Sequence, residues 1–169
     1  MNEAICAGLL TPELLNALPG VPDPQRMEEG PVAVIECAQE IPCNPCCRAC
    51  PQGAITVAPV ITALPSLRGE VCTGCGLCIP KCPGLAIFVV HKNYTESTSL
   101  VSFPYEYLPL PAVGDTLPCA GRDGAYLTHG VVKRVLTPTV YDHTAVVTVE
   151  VPKAHCMAVR TIERGGAAK

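Results

Sequence analysis

Apolar residues come in short runs along this chain, each bounded by proline, glycine, cysteine or a polar stretch. Val32-Ala33-Val34-Ile35 is unbroken, the pattern of a short buried strand. Ala54-Ile55-Thr56-Val57 and Ala86-Ile87-Phe88-Val89-Val90 predict two more strands. Residues 91–106 hold a polar stretch and then Leu100-Val101-Ser102-Phe103, which reads as a hairpin or as a linker and a strand. From about residue 107 short β segments take over. Gly114-Asp115 and Asp123-Gly124 are hairpin signals, and residues 130–136 and 144–151 alternate as strands do. Strands at such close spacing predict a small barrel or sandwich. The clearest helix signal is N-terminal. Thr11 is a cap and Pro12 a first helical position for a short helix through Leu14, Leu15 and Leu18, and the stretch Pro19-Gly20-Val21-Pro22-Asp23-Pro24 stops it.

Cysteine changes this picture most. The chain has 12, and four of them form Cys72-x-x-Cys75-x-x-Cys78-x-x-x-Cys82-Pro83. That run is the bacterial pattern for iron–sulfur ligation, in which three thiolates hold one cluster and the cysteine before proline reaches a second. A second cysteine set is therefore required, and an internal repeat finds it. A shift of 32 positions lays Cys43 on Cys75, Cys46 on Cys78, and Cys50-Pro51 on Cys82-Pro83. Ala54-Ile55 then falls on Ala86-Ile87, and Val57 on Val89. Cys72 falls on Glu40, whose carboxylate is a harder and poorer ligand than a thiolate. Cys37 supplies a sulfur through a longer loop and is preferred, with Cys47 as its rival. The resulting assignment is crossed: Cys37, Cys43, Cys46 and Cys82 for one 4Fe–4S cluster, and Cys50, Cys72, Cys75 and Cys78 for the other.

Other chemistries compete for these residues. A disulfide scaffold is usually small and follows a signal peptide, whereas this chain opens Met1-Asn2-Glu3-Ala4 with no basic stretch before an apolar run. Zinc binds paired Cys-x-x-Cys units, but three evenly spaced cysteines plus Cys-Pro suit a cubane better. A degenerate first site, leaving one cluster or a three-iron cluster, is the third alternative. Cys6, Cys47, Cys119 and Cys156 remain, and packing is the expectation for Cys119 and Cys156. Gly74 and Gly76 let the backbone approach the cluster and turn amides towards its sulfurs. His91, His129, His143 and His155 are scattered and form no metal set. No Gly-rich dinucleotide fingerprint follows a strand, so flavin and nicotinamide are not expected in this chain.

Composition narrows the class further. A net charge of −3 argues against nucleic acid, which needs a basic face. No apolar run reaches the ~18–20 residues of a membrane helix, and 12 thiols call for a reducing compartment, so a soluble cytoplasmic protein is expected. The chain has 18 prolines, which disfavour long helices. The expected architecture is α+β. It comprises an arm over 1–31, a ferredoxin-like two-cluster domain over 32–106, a small all-β, barrel-like domain over 107–160, and a disordered tail over 161–169.

The stretch from Cys72 through Cys82-Pro83-Gly84-Leu85-Ala86-Ile87 resembles two-cluster bacterial ferredoxins. The wider pattern, from Gly30-Pro31-Val32-Ala33-Val34-Ile35-Glu36-Cys37 and Ile41-Pro42-Cys43-Asn44-Pro45-Cys46 to the β segments, resembles the small iron–sulfur subunit of FAD-dependent amino-acid dehydrogenases of the proline or hydroxyproline class. The resemblance implies that Cys37 is a ligand. It also implies a flavoprotein partner that carries FAD and oxidises the substrate, with this chain as its non-catalytic electron-transfer subunit. The alternative is a free-standing soluble ferredoxin with a β extension.

Overall fold

In a computed structural model, residues 9–163 are described. Among the described residues are three α-helices of five residues each: α1 (Pro12–Asn16), α2 (Pro24–Glu28) and α3 (Pro45–Ala49), each with proline near its start. The strands are β1 (Val32–Ile35), β2 (Ile55–Thr56), β3 (Ser66–Leu67), β4 (Ile87–His91), β5 (Thr98–Tyr105), β6 (Thr116–Ala120), β7 (Tyr126–Leu136), β8 (Ala145–Pro152) and β9 (Thr161–Ile162). The fold is mostly β, so the helical share implied by α+β is small.

Seven strands form one antiparallel sheet in the order β1-β4-β5-β8-β7-β6-β9, and β2 and β3 pair separately. The separate barrel expected over 107–160 is replaced by a sheet that crosses that boundary. β5 joins β4 on one side and β8 on the other, so the strands around the cysteines and those of the C-terminal half are continuous. A hydrophobic pattern marks which residues are strands and leaves their partners open. The tail expectation also changes, because Thr161 and Ile162 pair with Ala120 and Cys119; residues 164–169 lie outside the described residues.

The apolar runs of β1 and β4 have a simple cause. Both strands are buried on their two faces, which removes the polar alternation of a half-exposed strand. Val32, Val34, Phe88 and Val90 join Val101, Phe103, Val147 and Val149 in a core on one face. Ala33, Ile35, Ile87 and Val89 join Ile79, Cys46 and Cys78 on the other. Complete burial of Phe103 contributes about 1.5–3 kcal/mol.

The arm packs on the body. Thr11 Oγ1 accepts the Leu14 amide at 3.4 Å and caps α1, which ends before Leu18. Asp23 Oδ1 accepts the Arg26 amide at 2.9 Å and opens α2, so the proline-rich stop is also the start of a second helix. The Pro19 carbonyl accepts the Leu67 amide at 3.0 Å, and the Gly20 carbonyl accepts the Ile35 amide at 2.9 Å. A Cβ at Gly20 would lie 2.7 Å from Ile35 Cβ, so only glycine fits this approach. Among the described residues no helix is long and apolar enough to cross a membrane.

Candidate metal centres

The 32-residue repeat is a repeat of conformation. α3 ends at Cys50 with φ −89° and ψ 106°, and the 3-10 turn Ile79–Lys81 ends at Cys82 with φ −84° and ψ 109°. The Cys50 amide donates to the Cys47 carbonyl at 3.4 Å, and the Cys82 amide to the Ile79 carbonyl at 3.3 Å. The carbonyls of Cys50 and Cys82 accept the amides of Gly53 and Leu85, each at 3.1 Å. Gly53 has φ 60° and Leu85, its equivalent, φ 52°. A leucine in the left-handed region is strained, and the repeated loop geometry holds it there.

Strand pairing crosses between the two units. Ile35 pairs with Ile87 while Leu67 pairs with Ile55, so each strand that precedes a cysteine loop pairs with the strand that follows the other loop. The amides beyond these pairs agree: Glu36 donates to the Ala86 carbonyl and Arg68 to the Ala54 carbonyl, both at 2.8 Å. This exchange brings Cys50 to the second loop and Cys82 to the first.

Two cavities result. Cys37, Cys43, Cys46 and Cys82 line one of about 30 Å³, beside Ile35 and Ile87. Cys50, Cys72, Cys75 and Cys78 line one of about 20 Å³, beside Ala33 and Val89. Among the described residues no group of three or more His, Cys, Asp or Glu side chains is placed to hold a metal ion, so what unites each cysteine set is the cavity its members share.

Backbone amides point at the sulfurs. Ala54 N donates to Cys50 Sγ at 3.2 Å, and its equivalent Ala86 N to Cys82 Sγ at 3.4 Å. Ala33 N donates to Cys72 Sγ at 3.5 Å. Donors of this kind favour the thiolate and tune a bound cluster. Burial pushes the thiols of Cys46 and Cys78 up to about 12 and raises that of Cys37. Cys72, Cys75 and Cys50 add to the shift at Cys78, and Cys82 and Cys43 to that at Cys37. Buried thiols of this kind keep their protons at neutral pH unless a cation replaces them.

Of the rival ligands, Cys47 packs beside Cys46 in the same apolar cluster. Cys47 and Glu40 line neither cavity; Cys47 is half-buried and Glu40 exposed. Cys119 and Cys156 are buried in the core on the opposite face of the sheet. Cys6 lies outside the described residues. His129 Nδ1 is 2.8 Å from the Tyr126 hydroxyl, and no histidine lines either cysteine cavity.

Gly74 has φ 64°, and a Cβ there would lie 2.6–2.7 Å from Pro31, including its backbone. The Cys72–Cys75 loop therefore lies against the residue that opens β1. Arg26 fixes the same loop, which sequence reasoning missed. Its guanidinium donates to the carbonyls of Gly69 and Cys72, each at 2.7 Å, and of Pro31 at 3.1 Å. Glu36, Arg122 and Arg160 were missed too. Arg122 Nε reaches Glu36 Oε2 at 2.8 Å and Arg160 Nε reaches Oε1 at 2.7 Å. Burial alone would raise the Glu36 carboxyl, but the two guanidiniums together hold it below its ordinary value. Single charged residues spread along a sequence carry no periodic signal of such a contact.

No family model matches the chain, and no solved structure matches it. Curated proteins similar to part of it include the following three. Protein Pixie of Drosophila melanogaster is 34% identical over 95 residues, covering 52% of this chain and 15% of that protein. Translation initiation factor RLI1 of Saccharomyces cerevisiae is 31% identical over 99 residues, covering 53% and 16%. ABC transporter E family member 1 of Arabidopsis thaliana is 29% identical over 96 residues, covering 53% and 16%. The chain spans about one-sixth of the length of the relatives it matches.

Proposed function

We propose that this chain is an iron–sulfur electron-transfer protein that binds two 4Fe–4S clusters by crossed ligation. One observation carries the reading: each cavity gathers three cysteines of one loop and the fourth from the other. In a duplicated ferredoxin-like module such crossing follows from the exchanged strand pairs. When bound, the clusters supply one-electron chemistry. The chain's own part is to hold eight sulfurs in two fixed sets, donate amides to Cys50, Cys72 and Cys82, and surround the sets with apolar side chains. Ala33 and Val89 beside one cavity, and Ile35 and Ile87 beside the other, limit water.

The electron source proposed is a flavoprotein that oxidises an amino or imino acid of the proline class. That step rests on the resemblance of residues 30–160 alone.

The test is iron and sulfide analysis of anaerobically purified protein, with Cys37→Ser and Cys47→Ser variants. About eight irons per chain and visible absorption that dithionite bleaches are expected. Cys37→Ser loses about half the iron and Cys47→Ser keeps it. The opposite pattern overturns the assignment of Cys37. Stoichiometric zinc in place of iron overturns the reading altogether. Affinity purification from the native host tests the partner: a co-purifying flavoprotein supports it, and a lone brown protein favours the free ferredoxin.

A further inference from the structure

Beside the loop that carries Cys75, the sheet keeps a row of polar side chains. Ser102 on β5 stands opposite Thr148 on β8, and Thr148 opposite Arg134 on β7. The Ser102 and Thr148 hydroxyls are 2.8 Å apart, and both residues are buried. His91 on β4, one row along the same face, points into the same space. Gly74, Cys75, Gly76 and Tyr141 complete the walls of a cavity of about 180 Å³, measured as the two cysteine cavities were. It shares the Gly74–Gly76 wall and Val89 with the cavity of Cys50, Cys72, Cys75 and Cys78, opens beside it, and is several times larger.

Its chemistry is one-sided. Ile79, Val89 and Leu136 are among its apolar walls; its polar groups are arginine, imidazole and hydroxyl, with no carboxylate. The acid on this face is Glu150, in the row of Leu100, and it is already engaged by Lys133 at 3.0 Å and by the Thr98 hydroxyl at 2.8 Å. Among the described residues Arg134 has no carboxylate within 4.0 Å. The Ser102 and Thr148 hydroxyls satisfy each other, and the exposed Arg134 guanidinium is the charge on this wall that no carboxylate answers.

We propose that this cavity binds a small anion bearing a carboxylate or phosphate group, held by the Arg134 guanidinium with His91 and the Ser102–Thr148 pair as further partners. The guanidinium fork matches either group, and the cavity has room for a small molecule that bears one. Bound there, the anion lies beside the exposed Cys75. Its negative charge would disfavour reduction of the adjacent cluster; that consequence rests on the iron–sulfur reading, and the binding does not.

The test is isothermal titration calorimetry of the protein as purified, at fixed ionic strength, with sodium malonate and with sodium phosphate as probes. Saturable one-site binding at millimolar or lower concentration is expected for at least one probe. Arg134→Gln should weaken it at least tenfold, the loss of a charge-assisted contact. Lys133→Gln, which removes the same charge one residue away, should leave it within about twofold. Binding of malonate alone identifies a carboxylate site, and competition between the probes a general oxyanion site. Absence of saturable binding for both probes, or equal losses in the two variants, overturns the inference. Normal binding in a chain that purifies without iron supports it while overturning the iron–sulfur reading.

Discussion

Arg160 Nε donates to Glu36 Oε1 at 2.7 Å across a sequence separation of 124 residues. Glu36 follows β1 and Arg160 precedes β9, the two outermost strands of the sheet. Arg160 also lies over the Phe88 ring, 4.7 Å from its centroid. An ion pair therefore links the segments beside the two edge strands of the sheet. Arg122 adds a second guanidinium to the same carboxylate.

Replacing Glu36 with alanine strands two arginines, one of them almost fully buried. Removing one partner of a buried ion pair costs about 3–5 kcal/mol. Urea unfolding followed by far-UV circular dichroism should show that loss, and Glu36→Gln should lose less. A loss under about 1 kcal/mol for Glu36→Ala would mean that the ion pair does not hold these segments together.

Gly74→Ala adds a methyl where Pro31 backbone stands 2.7 Å away, on a residue already at φ 64°. The strained backbone alone costs about 1–3 kcal/mol, and the collision displaces the Cys72–Cys75 loop. If the proposed crossed ligation holds, the variant should keep about half the iron, that of the Cys37, Cys43, Cys46 and Cys82 set, and lose most of the rest. Gly84→Ala, where a Cβ meets nothing within 4 Å, should keep its full iron content. Full iron in Gly74→Ala would show that the loop tolerates the shift.

Truncation after residue 106 removes β6 to β9, and with them the β8 partner of all eight residues of β5. The buried core on that face loses Val147, Val149 and Val151. The truncated chain should be insoluble or unfolded. A soluble fragment with full iron would establish residues 32–106 as a domain in their own right.

In the metal-free protein, burial pushes the Cys46 and Cys78 thiols up to about 12, so both are protonated at pH 8. Because the thiolate is the nucleophile, brief iodoacetamide pulses at pH 8 should label exposed Cys75 at least tenfold faster than either, by peptide mass spectrometry. Labelling of Cys46 and Cys78 should accelerate as the pH rises. Equal rates at all three would show that the cavities do not outlast the metal.

Much of the cysteine-bearing half was legible because ligation and strand burial both write local patterns. Cys72 to Cys82 spells its spacing within eleven residues, and Val32 to Ile35 announces burial by four apolar residues in a row. Partnership was not legible. Nothing in residues 98–105 says that β5 joins β4 to β8, so the boundary drawn at 106 divides one sheet. Asp23-Pro24 is a good helix start, yet the surrounding prolines read as a stop. Arg26, Arg122 and Arg160 act through contacts 35–124 residues away, and only the folded chain reveals them.

Pro19 and Gly20 have a wider effect than their size implies. Their neighbouring carbonyls accept the amides of Leu67 and Ile35, which are equivalent residues of the two repeats. A single dipeptide thus works as a rivet through both halves of a duplicated unit. Hinge motion that opened one half against the other would have to break both bonds at once. If the two cysteine sets hold the clusters proposed for them, this pair of hydrogen bonds ties down the gap that an electron would cross between them.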